Sequence, residues 1–265
     1  MKKKVLTLCL VVALAATAII GGTLAYFTDT DAQKNTFTTG NVAIDLFEDF
    51  GDNDKNGIEH LVPAVGSAQD GTIKNAIEKE VYVQNTGSEK AYVRVHIAIP
   101  SVLLNGSSVN QDVKSNWPLH FNSSKNSTVE GKWSWSNTND ASNWPASEND
   151  WNIYTTTIDN VEYTVHVVTY KTALYQNDTT VDAIEQVYLG SDVTNEDITA
   201  IKKVLGDNWY IYVAAEGAQA AGFDNAYDAL NTAFGDPSDS NYTSKIDWKT
   251  VSGKTWVDTA SANGK

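Results

Sequence analysis

The sequence contains very little cysteine and very little arginine. Its single cysteine, Cys9, lies in the first 25 residues, and its single arginine is Arg94. One cysteine forms no internal disulfide, so stability has to come from core size, a bound metal or assembly with other chains. One arginine nearly excludes the bidentate anion clamps and arginine-rich interfaces that recognise phosphate groups.

Positive charge is also scarce across the 265 residues. Lysine and arginine total 19 against 33 aspartates and glutamates, which gives a net charge of −14. The first 25 residues carry three lysines and no acid, so the chain without them has a net charge of −17. A surface this acidic repels nucleic acids and anionic membranes. We therefore expect neither of them as a partner.

Recognised catalytic motifs are missing as well. None of the four histidines belongs to a His-Glu-x-x-His motif: His60, His96, His120 and His166. Their spacing supports no zinc-protease helix, and no serine lies in a nucleophile elbow. His96 and His166 fall on the less apolar faces of expected strands, so we expect both to be half exposed. The sequence predicts that the chain is not an enzyme.

The first 25 residues have the three parts of a secretory signal peptide. Three lysines precede the apolar run Val5–Ile20, and the small residues Thr23 and Ala25 stand at the −3 and −1 positions of a cleavage site. This order is typical of export signals that are removed. A membrane anchor is the alternative, but the run is short for a span and no stop-transfer cluster follows it. We predict cleavage between Ala25 and Tyr26, a secreted or cell-surface location, and membrane contact only before cleavage.

Alternating apolar residues predict a mostly β chain. Strands are expected over 42–47, 81–83, 92–99, 161–170 and 209–215. Asn85–Ser88 is typical of a hairpin turn between the second and third of these strands. Roughly seven to ten strands with polar turns indicate an all-β, jelly-roll-like β-sandwich.

The same alternation predicts which side chains are buried. The inward row of the third expected strand is Val93, Val95, Ile97 and Ile99. The inward row of the fourth is Val161, Tyr163, Val165 and Val167. Each row is expected to face the interior of the sandwich.

Two short helices are expected to interrupt the strands. Thr194 is suited to cap the N-terminus of a helix over 195–205, which Gly206 ends. Asp224 is suited to cap a second helix over 225–234, which Gly235 ends.

These signals divide the chain into four parts. A signal peptide, 1–25, is followed by an extended arm, 26–40, and a β-sandwich domain, 41–237. Within that domain, 105–152 is rich in Asn, Ser and Trp without a clear period, and we expect it to form long decorating loops. The remainder, 238–265, is a polar C-terminal segment.

The tryptophans of these loops have two interpretations. Trp133 and Trp144 lie among Asn and Ser residues, a setting in which aromatic rings can stack on sugars. That interpretation makes the chain a cell-surface glycan-binding or adhesion module. Large aromatics in long loops also fix such loops onto a sandwich by burying their rings.

An acidic segment after the first expected strand partly matches a calcium loop. Asp52, Asp54 and Asn56 provide oxygen ligands at positions 1, 3 and 5, and Gly57 stands at position 6. Position 12 is Pro63, where a bidentate glutamate is required. The segment is either a calcium site completed by another carboxylate or a solvated acidic turn. Calcium is the one cofactor that the sequence suggests.

A distinctive motif surrounds the predicted cleavage point. An apolar core and Gly-Gly lead into the aromatic pair and acid of Tyr26–Asp29, and then into the Phe/Thr/Gly strand entry of Asn35–Val42. Two later stretches, Lys79–Val95 and Ile211–Gln219, agree with the same pattern. In this order the elements resemble the TasA/camelysin family of secreted bacterial proteins. The resemblance covers 1–47, 78–104 and 209–235.

This resemblance carries expectations about function. It implies a biofilm-matrix protein with a jelly-roll fold that polymerises outside the cell through N-terminal donor strands. It also implies processing by a SipW-type signal peptidase, with sister matrix proteins as further partners. The camelysin branch is classed with the metallopeptidases, so a camelysin-like metalloprotease is a third interpretation after a fibre protein and a glycan-binding module.

The arm 26–40 is the segment expected to join subunits. It is threonine-rich and β-prone, so it suits addition to an exposed sheet edge of a second copy of the chain. Phe27 and Phe37 are then expected to set the register by filling pockets on the neighbour. The alternative is an edge strand folded back on its own domain.

Overall fold

The fold comes from a computed structural model that describes residues 28–30, 41–49, 61–65, 73–122, 132–137 and 150–253. Within these ranges the strands are β1 (Thr28–Thr30), β2 (Ile44–Asp49), β3 (Ile77–Asn85), β4 (Ala91–Pro100), β5 (Leu119–Asn122), β6 (Trp133–Ser134), β7 (Ile153–Ile158), β8 (Val161–Tyr170), β9 (Ile184–Leu189) and β10 (Tyr212–Gln219). The helices are α1 (Ser101–Leu104), α2 (Gly106–Val109), α3 (Asn195–Leu205), α4 (Ala226–Phe234) and α5 (Trp248–Ser252).

The strands form two antiparallel sheets. Sheet A has the order β1-β10-β4-β8-β6, and β7 also pairs with β8. Sheet B has the order β2-β3-β9-β5. The prediction of an all-β sandwich is therefore confirmed.

Both faces of sheet A are covered. Val93, Val95, Ile97 and Ile99 of β4 point into the core between the sheets, as the alternation predicts. The opposite face of sheet A lies under α4 and α5, whose Leu230, Phe234 and Trp248 are buried. The molecule thus has three layers: sheet B, sheet A and a C-terminal helical layer.

The third layer changes the expected orientation of β8. Tyr163 and Val165 are buried, but they pack with Trp248 of α5 and not between the two sheets. Val165 pairs with Ala98, whose side chain is on the helical side of β4, whereas His166 pairs with the inward-facing Ile97. Three of the four residues in the predicted row of β8 are buried and Val161 is partly buried, yet the row faces the opposite way.

The connection from β3 to β4 is not the hairpin that the sequence predicts. β3 pairs with β2 and β9 in sheet B, whereas β4 pairs with β10 and β8 in sheet A. The Asn85 side chain donates to the carbonyl oxygens of Glu89 and Leu174 at 2.8 and 3.0 Å. The Thr86 and Gly87 amides donate to the carbonyl oxygen of Ala43. These bonds shape an arch that carries the chain from one sheet to the other.

The helix predictions differ in accuracy. The helix Asn195–Leu205 has Thr194 as its N-cap and Gly206 as its C-cap, as predicted, and Asp197 completes a capping box. The second helix begins one residue later than predicted, because Asn225 and not Asp224 caps it by accepting from the Asp228 amide. None of the described helices is long and apolar enough to cross a membrane.

The aromatic residues of the loop region take different roles. Trp133 and Trp135 are buried, and the Trp133 ring contacts Tyr170 edge-on at 4.9 Å. These two rings fix the loop onto the sandwich and are not free to stack on a sugar. Trp117 is 58% exposed, and Trp144 lies outside the described residues.

The arch between the sheets leaves no room for a side chain at Gly87. A Cβ atom there would overlap the carbonyl oxygen of Asn41 and lie 2.5 Å from the amide nitrogen of Ala43. We predict that Gly87→Ala lowers the free energy of unfolding by about 1–3 kcal/mol, because backbone has to move to relieve the overlap. Urea unfolding measures the change.

Gly253→Ala is the matched control. Gly253 has an ordinary helical φ of −81°, and the atom nearest to a Cβ at this position is the Lys249 carbonyl oxygen, 3.4 Å away. An equal loss of stability in both variants would contradict the explanation from close backbone approach.

Candidate assembly site

Among the described residues, the strand that pairs with the edge of sheet A at β10 is short. β1 pairs with β10 through three residue pairs, Thr28 with Ala218, Asp29 with Gly217 and Thr30 with Glu216. β10 itself runs for eight residues. Within the described residues, no strand pairs with Tyr212–Ala215 on that side. We call Tyr212–Ala215 the far half of the edge.

One face of β10 packs against sheet B. Gly217 faces Ile44 of β2, and a Cβ atom at Gly217 would lie 2.9 Å from the Ile44 Cγ2 atom. The neighbouring positions are also small, with Ala215 and Ala218 buried. Small residues let β10 sit close to both sheet B and the helical layer.

A buried ion pair lies on the helical side of the same strand. The Arg94 Nε–H donates to Glu216 Oε2 at 2.6 Å, and the two side chains are 1% and 0% exposed. His96 Nε2 lies 3.0 Å from the same oxygen. Glu216 is therefore fixed at the position where β1 pairs with β10.

The ion pair extends into the helical layer. Arg94 Nη1 donates to Asn231 Oδ1 of α4 and to the carbonyl oxygen of Gly235, both at 3.1 Å. On the other side, His96 Nδ1 lies 3.2 Å from the Tyr154 hydroxyl of β7. This network joins β4, β7 and β10 to the C-terminal part of the chain.

The network fixes the protonation states of its members. Burial opposes ionisation of Glu216, but the charges and hydrogen bonds of His96 and Arg94 outweigh it and lower the pKa to about 2. Burial lowers the pKa of His96 below its usual value despite the adjacent carboxylate. At neutral pH the cluster is therefore a carboxylate paired with the guanidinium, beside a neutral imidazole.

The prediction that His96 and His166 are half exposed is wrong. His96 is 0% exposed because it lies under the helical layer. His166 is 9% exposed because the loop with Trp135 covers it. The rings of Phe121, Trp135 and Trp151 surround His166 with centroid distances of 5.4 to 5.8 Å. Burial alone lowers the pKa of His166 to about 4.

The described residues do not provide a metal centre. No three His, Cys, Asp or Glu side chains among them are grouped as ligands. His96 is engaged by Glu216, His166 lies among aromatic rings, and His120 stacks on Tyr188 at 5.3 Å. The residues of the described part therefore do not fit a catalytic zinc site of the His-rich type.

Several predicted site residues lie outside the described residues. These are Ala25 and Tyr26 at the cleavage point, Phe27 and Phe37 of the arm, and Asp52, Asp54 and Asn56 of the calcium-like loop. His60 also lies outside them. The part of the arm that the structure describes is Thr28–Thr30, and it lies on the edge of its own domain.

Local sequence patterns do not predict the Arg94–Glu216 pair. One signal for it exists, because each residue is a charge on a strand made mostly of apolar or small residues. Two opposite charges in such settings indicate a buried pair. Their separation of 122 positions hides the contact from any local pattern.

The buried pair generates a stability prediction. Glu216→Gln leaves the Arg94 charge buried without its counter-charge, so we expect the free energy of unfolding to fall by about 3–5 kcal/mol. A double-mutant cycle measures the coupling by urea unfolding. We expect Arg94→Met/Glu216→Leu to lose less stability than the sum of the losses in Arg94→Met and Glu216→Leu.

The exposed pair Lys202–Asp207, with a distance of 3.2 Å, is the control. Its side chains are 48% and 89% exposed, so Lys202→Ala should leave stability unchanged within error. Additive losses at Arg94 and Glu216 would show that the two side chains are not coupled.

The burial of His166 among aromatic rings predicts a loss of stability in acid. The unfolded chain takes up a proton at His166 near pH 6.5, whereas the pKa of His166 in the folded chain is about 4. The stability contributed by neutral His166 is thus complete above about pH 6.5 and is lost as the pH falls toward 4, by about 3 kcal/mol. We predict that His166→Phe reduces the slope of stability against pH in this window, as followed by urea unfolding.

His120→Phe serves as a comparison. His120 is only partly buried, and although burial lowers its pKa, the negative charge of nearby Asp192 acts in the opposite direction. We therefore expect a smaller change of slope in His120→Phe. An unchanged slope in His166→Phe would contradict the assignment of the acid sensitivity to this side chain.

Comparison with known proteins adds one finding to this geometry. Residues 1–116 match a family model described as Camelysin metallo-endopeptidase. A search of curated proteins gave no match. The matched region contains the N-terminal motif, β1 to β4 and the Arg94 and His96 side of the buried network. The match confirms the resemblance predicted from the N-terminal motifs: over residues 1–116 this chain is similar to the camelysin family.

Proposed function

We propose that this chain is an exported structural protein of the cell surface or extracellular matrix, and that it polymerises by adding its N-terminal arm to the β10 edge of the next copy. The observation that carries the proposal is the short pairing of β1 on an eight-residue edge strand. Three residue pairs hold β1 to its own domain. An incoming arm of a second copy can form the same pairs and extend along the far half of the edge.

Exchange of the arm is favourable for a physical reason. β1 breaks its main-chain hydrogen bonds to β10 when it leaves its own domain, and an equivalent β1 from another copy forms the same bonds there. Pairing that continues along Tyr212–Ala215 would lengthen the intermolecular strand beyond the three residue pairs of β1. The buried network of Arg94, Glu216 and His96 on the helical side of β10 keeps the accepting edge in place while no arm is paired with it.

Export processing supplies the trigger in this proposal. While residues 1–25 are attached, the arm is tethered at the membrane. Cleavage between Ala25 and Tyr26 by a SipW-type signal peptidase frees the end that has to thread onto a neighbour. The main partner is then a second copy of the chain, with sister matrix proteins as further members of the fibre.

Two other functions stay as alternatives. The family description names an endopeptidase, and the expectation that this chain is not an enzyme stays a prediction. Caseinolysis that a chelator abolishes, in protein prepared free of host proteases, would assign it that activity. A glycan-binding role is treated below from a different part of the molecule.

A disulfide between β1 and β10 tests strand exchange. Thr28 lies directly opposite Ala218, so Thr28→Cys/Ala218→Cys, made in a protein without Cys9, can be oxidised as a monomer. We predict that the oxidised monomer forms no filaments in negative-stain microscopy, because its arm cannot leave, and that reduction restores them.

Oxidation after assembly gives the complementary result. If the arm of one copy lies on the next, the same cysteines then link different chains and produce a ladder on a non-reducing gel. Each single-cysteine variant is the control and should assemble regardless of oxidation. Normal filaments from the oxidised monomer, or from a protein lacking residues 26–38, would refute the proposal.

A further inference from the structure

A small groove lies at the end of sheet A away from the β1 pairing. It forms where β4 ends, β10 begins and the β7–β8 turn approaches the segment after α3. Its volume is about 170 Å³. We define the aromatic groove by six of its residues: Asp159, Tyr163, Asn208, Trp209, Tyr210 and Tyr212.

The rings of this groove are held in fixed positions. Tyr210 and Tyr212 stack with centroids 5.9 Å apart and planes within 11°, and Tyr163 contacts Tyr212 at 5.4 Å. The Trp209 Nε1–H donates to the carbonyl oxygen of Gly206 at 3.2 Å. Tyr210 is 52% exposed although it belongs to this ordered set. The groove therefore offers a preformed aromatic surface to solvent.

Polar groups stand beside the rings. Asp159 and Asn208 are exposed, and their side chains make no hydrogen bond to another residue of the described part. Asp159 is fixed by the tight β7–β8 turn, in which Asp159 and Asn160 have φ values of 48° and 66°. A carboxylate and an amide at the rim are suited to bind hydroxyl groups.

The charge of the groove selects among hydroxyl-rich ligands. Among the described residues, its lining contains the Asp159 carboxylate and no lysine, arginine or histidine. An anionic ligand would meet this carboxylate and a strongly acidic protein without a compensating cation. A ligand with apolar C–H faces for the rings, hydroxyl groups for the rim and no negative charge fits all three features.

We propose that the aromatic groove binds neutral polysaccharide, one ring-sized unit lying on Tyr210 with its hydroxyl groups directed to Asp159 and Asn208. The volume of about 170 Å³ is below the roughly 300–1,000 Å³ of pockets that enclose a whole drug-sized ligand. The groove therefore suits a polymer from which it contacts one small unit. This proposal stands on the groove alone and does not depend on polymerisation.

The position of the groove keeps it compatible with assembly. Tyr212 and Ala218 lie near opposite ends of β10, so the groove and the β1 pairing are separated by about 20 Å at the usual rise of a strand. Tyr212 is common to the groove and to the segment along which an added arm would continue, but the arm would pair with its main chain, whereas the groove uses its ring. A fibre joined through β1 would repeat the groove once per subunit. Repeated weak sites on one fibre raise the overall affinity for a polymeric glycan.

Calorimetric titration of the purified protein tests the site. The probes are the hexaoses of β-1,4-glucose, xylose, mannose and N-acetylglucosamine, with hexagalacturonate as an anionic comparison. We expect at least one neutral hexaose to bind and hexagalacturonate not to bind. Tyr210→Ala should weaken binding by about tenfold or more, as truncation of an aromatic anchor does, whereas Tyr210→Phe keeps the ring and most of the affinity.

Tyr175→Ala is the matched control, because Tyr175 is 62% exposed and lies away from the groove under Lys90. Its binding should equal that of the unmodified protein. Melting temperatures of both variants check folding. Absence of binding to every neutral hexaose, equal loss in Tyr175→Ala, or equal binding of hexagalacturonate would overturn the proposal. Self-association that Tyr210→Ala abolishes, without sugar binding, would assign the face to protein contact and overturn it as well.

Discussion

The contact between Arg94 and Glu216 is the interaction on which the rest of the structure depends. Neither side chain reaches solvent, so neither charge is stable without the other. Their strands are neighbours in sheet A, and Arg94 continues the contact to Asn231 and the Gly235 carbonyl in the helical layer. The pair therefore requires the C-terminal layer to fold onto the sheet, since an uncovered sheet would leave the network half exposed to water.

This rigid side of β10 contrasts with its edge. The network and the contact with Ile44 hold the strand from two faces, while β1 pairs with its edge over three residues. Within the described residues the edge of β10 has these three pairs, whereas many sheets protect their edges with bulges or inward charges. The proposed assembly follows from that contrast, because a rigid acceptor loses little conformational freedom when a new strand binds.

Sequence patterns predict local features better than tertiary ones. The alternation of β4 and the capped helix Asn195–Leu205 are predicted correctly, because each depends on neighbours within a few residues. The predicted β3–β4 hairpin is wrong, since a polar four-residue turn has the same sequence whether it joins adjacent strands or crosses between sheets. Burial of His96 escapes prediction because its neighbours Tyr154 and Glu216 lie 58 and 120 positions away. The candidate site, made of β1, β10 and β4, combines segments that no local signal connects.

The crowding of β10 also has an evolutionary consequence. One face of the strand touches sheet B at Gly217, the other carries Glu216 beneath the helices, and one edge is paired to β4 over its whole length. A substitution at almost any position meets a neighbour. Relatives that keep this fold are therefore expected to diverge slowly in β10 and faster in the loops around it. In the C-terminal half of the chain, β10 is thus the segment by which distant relatives can be found.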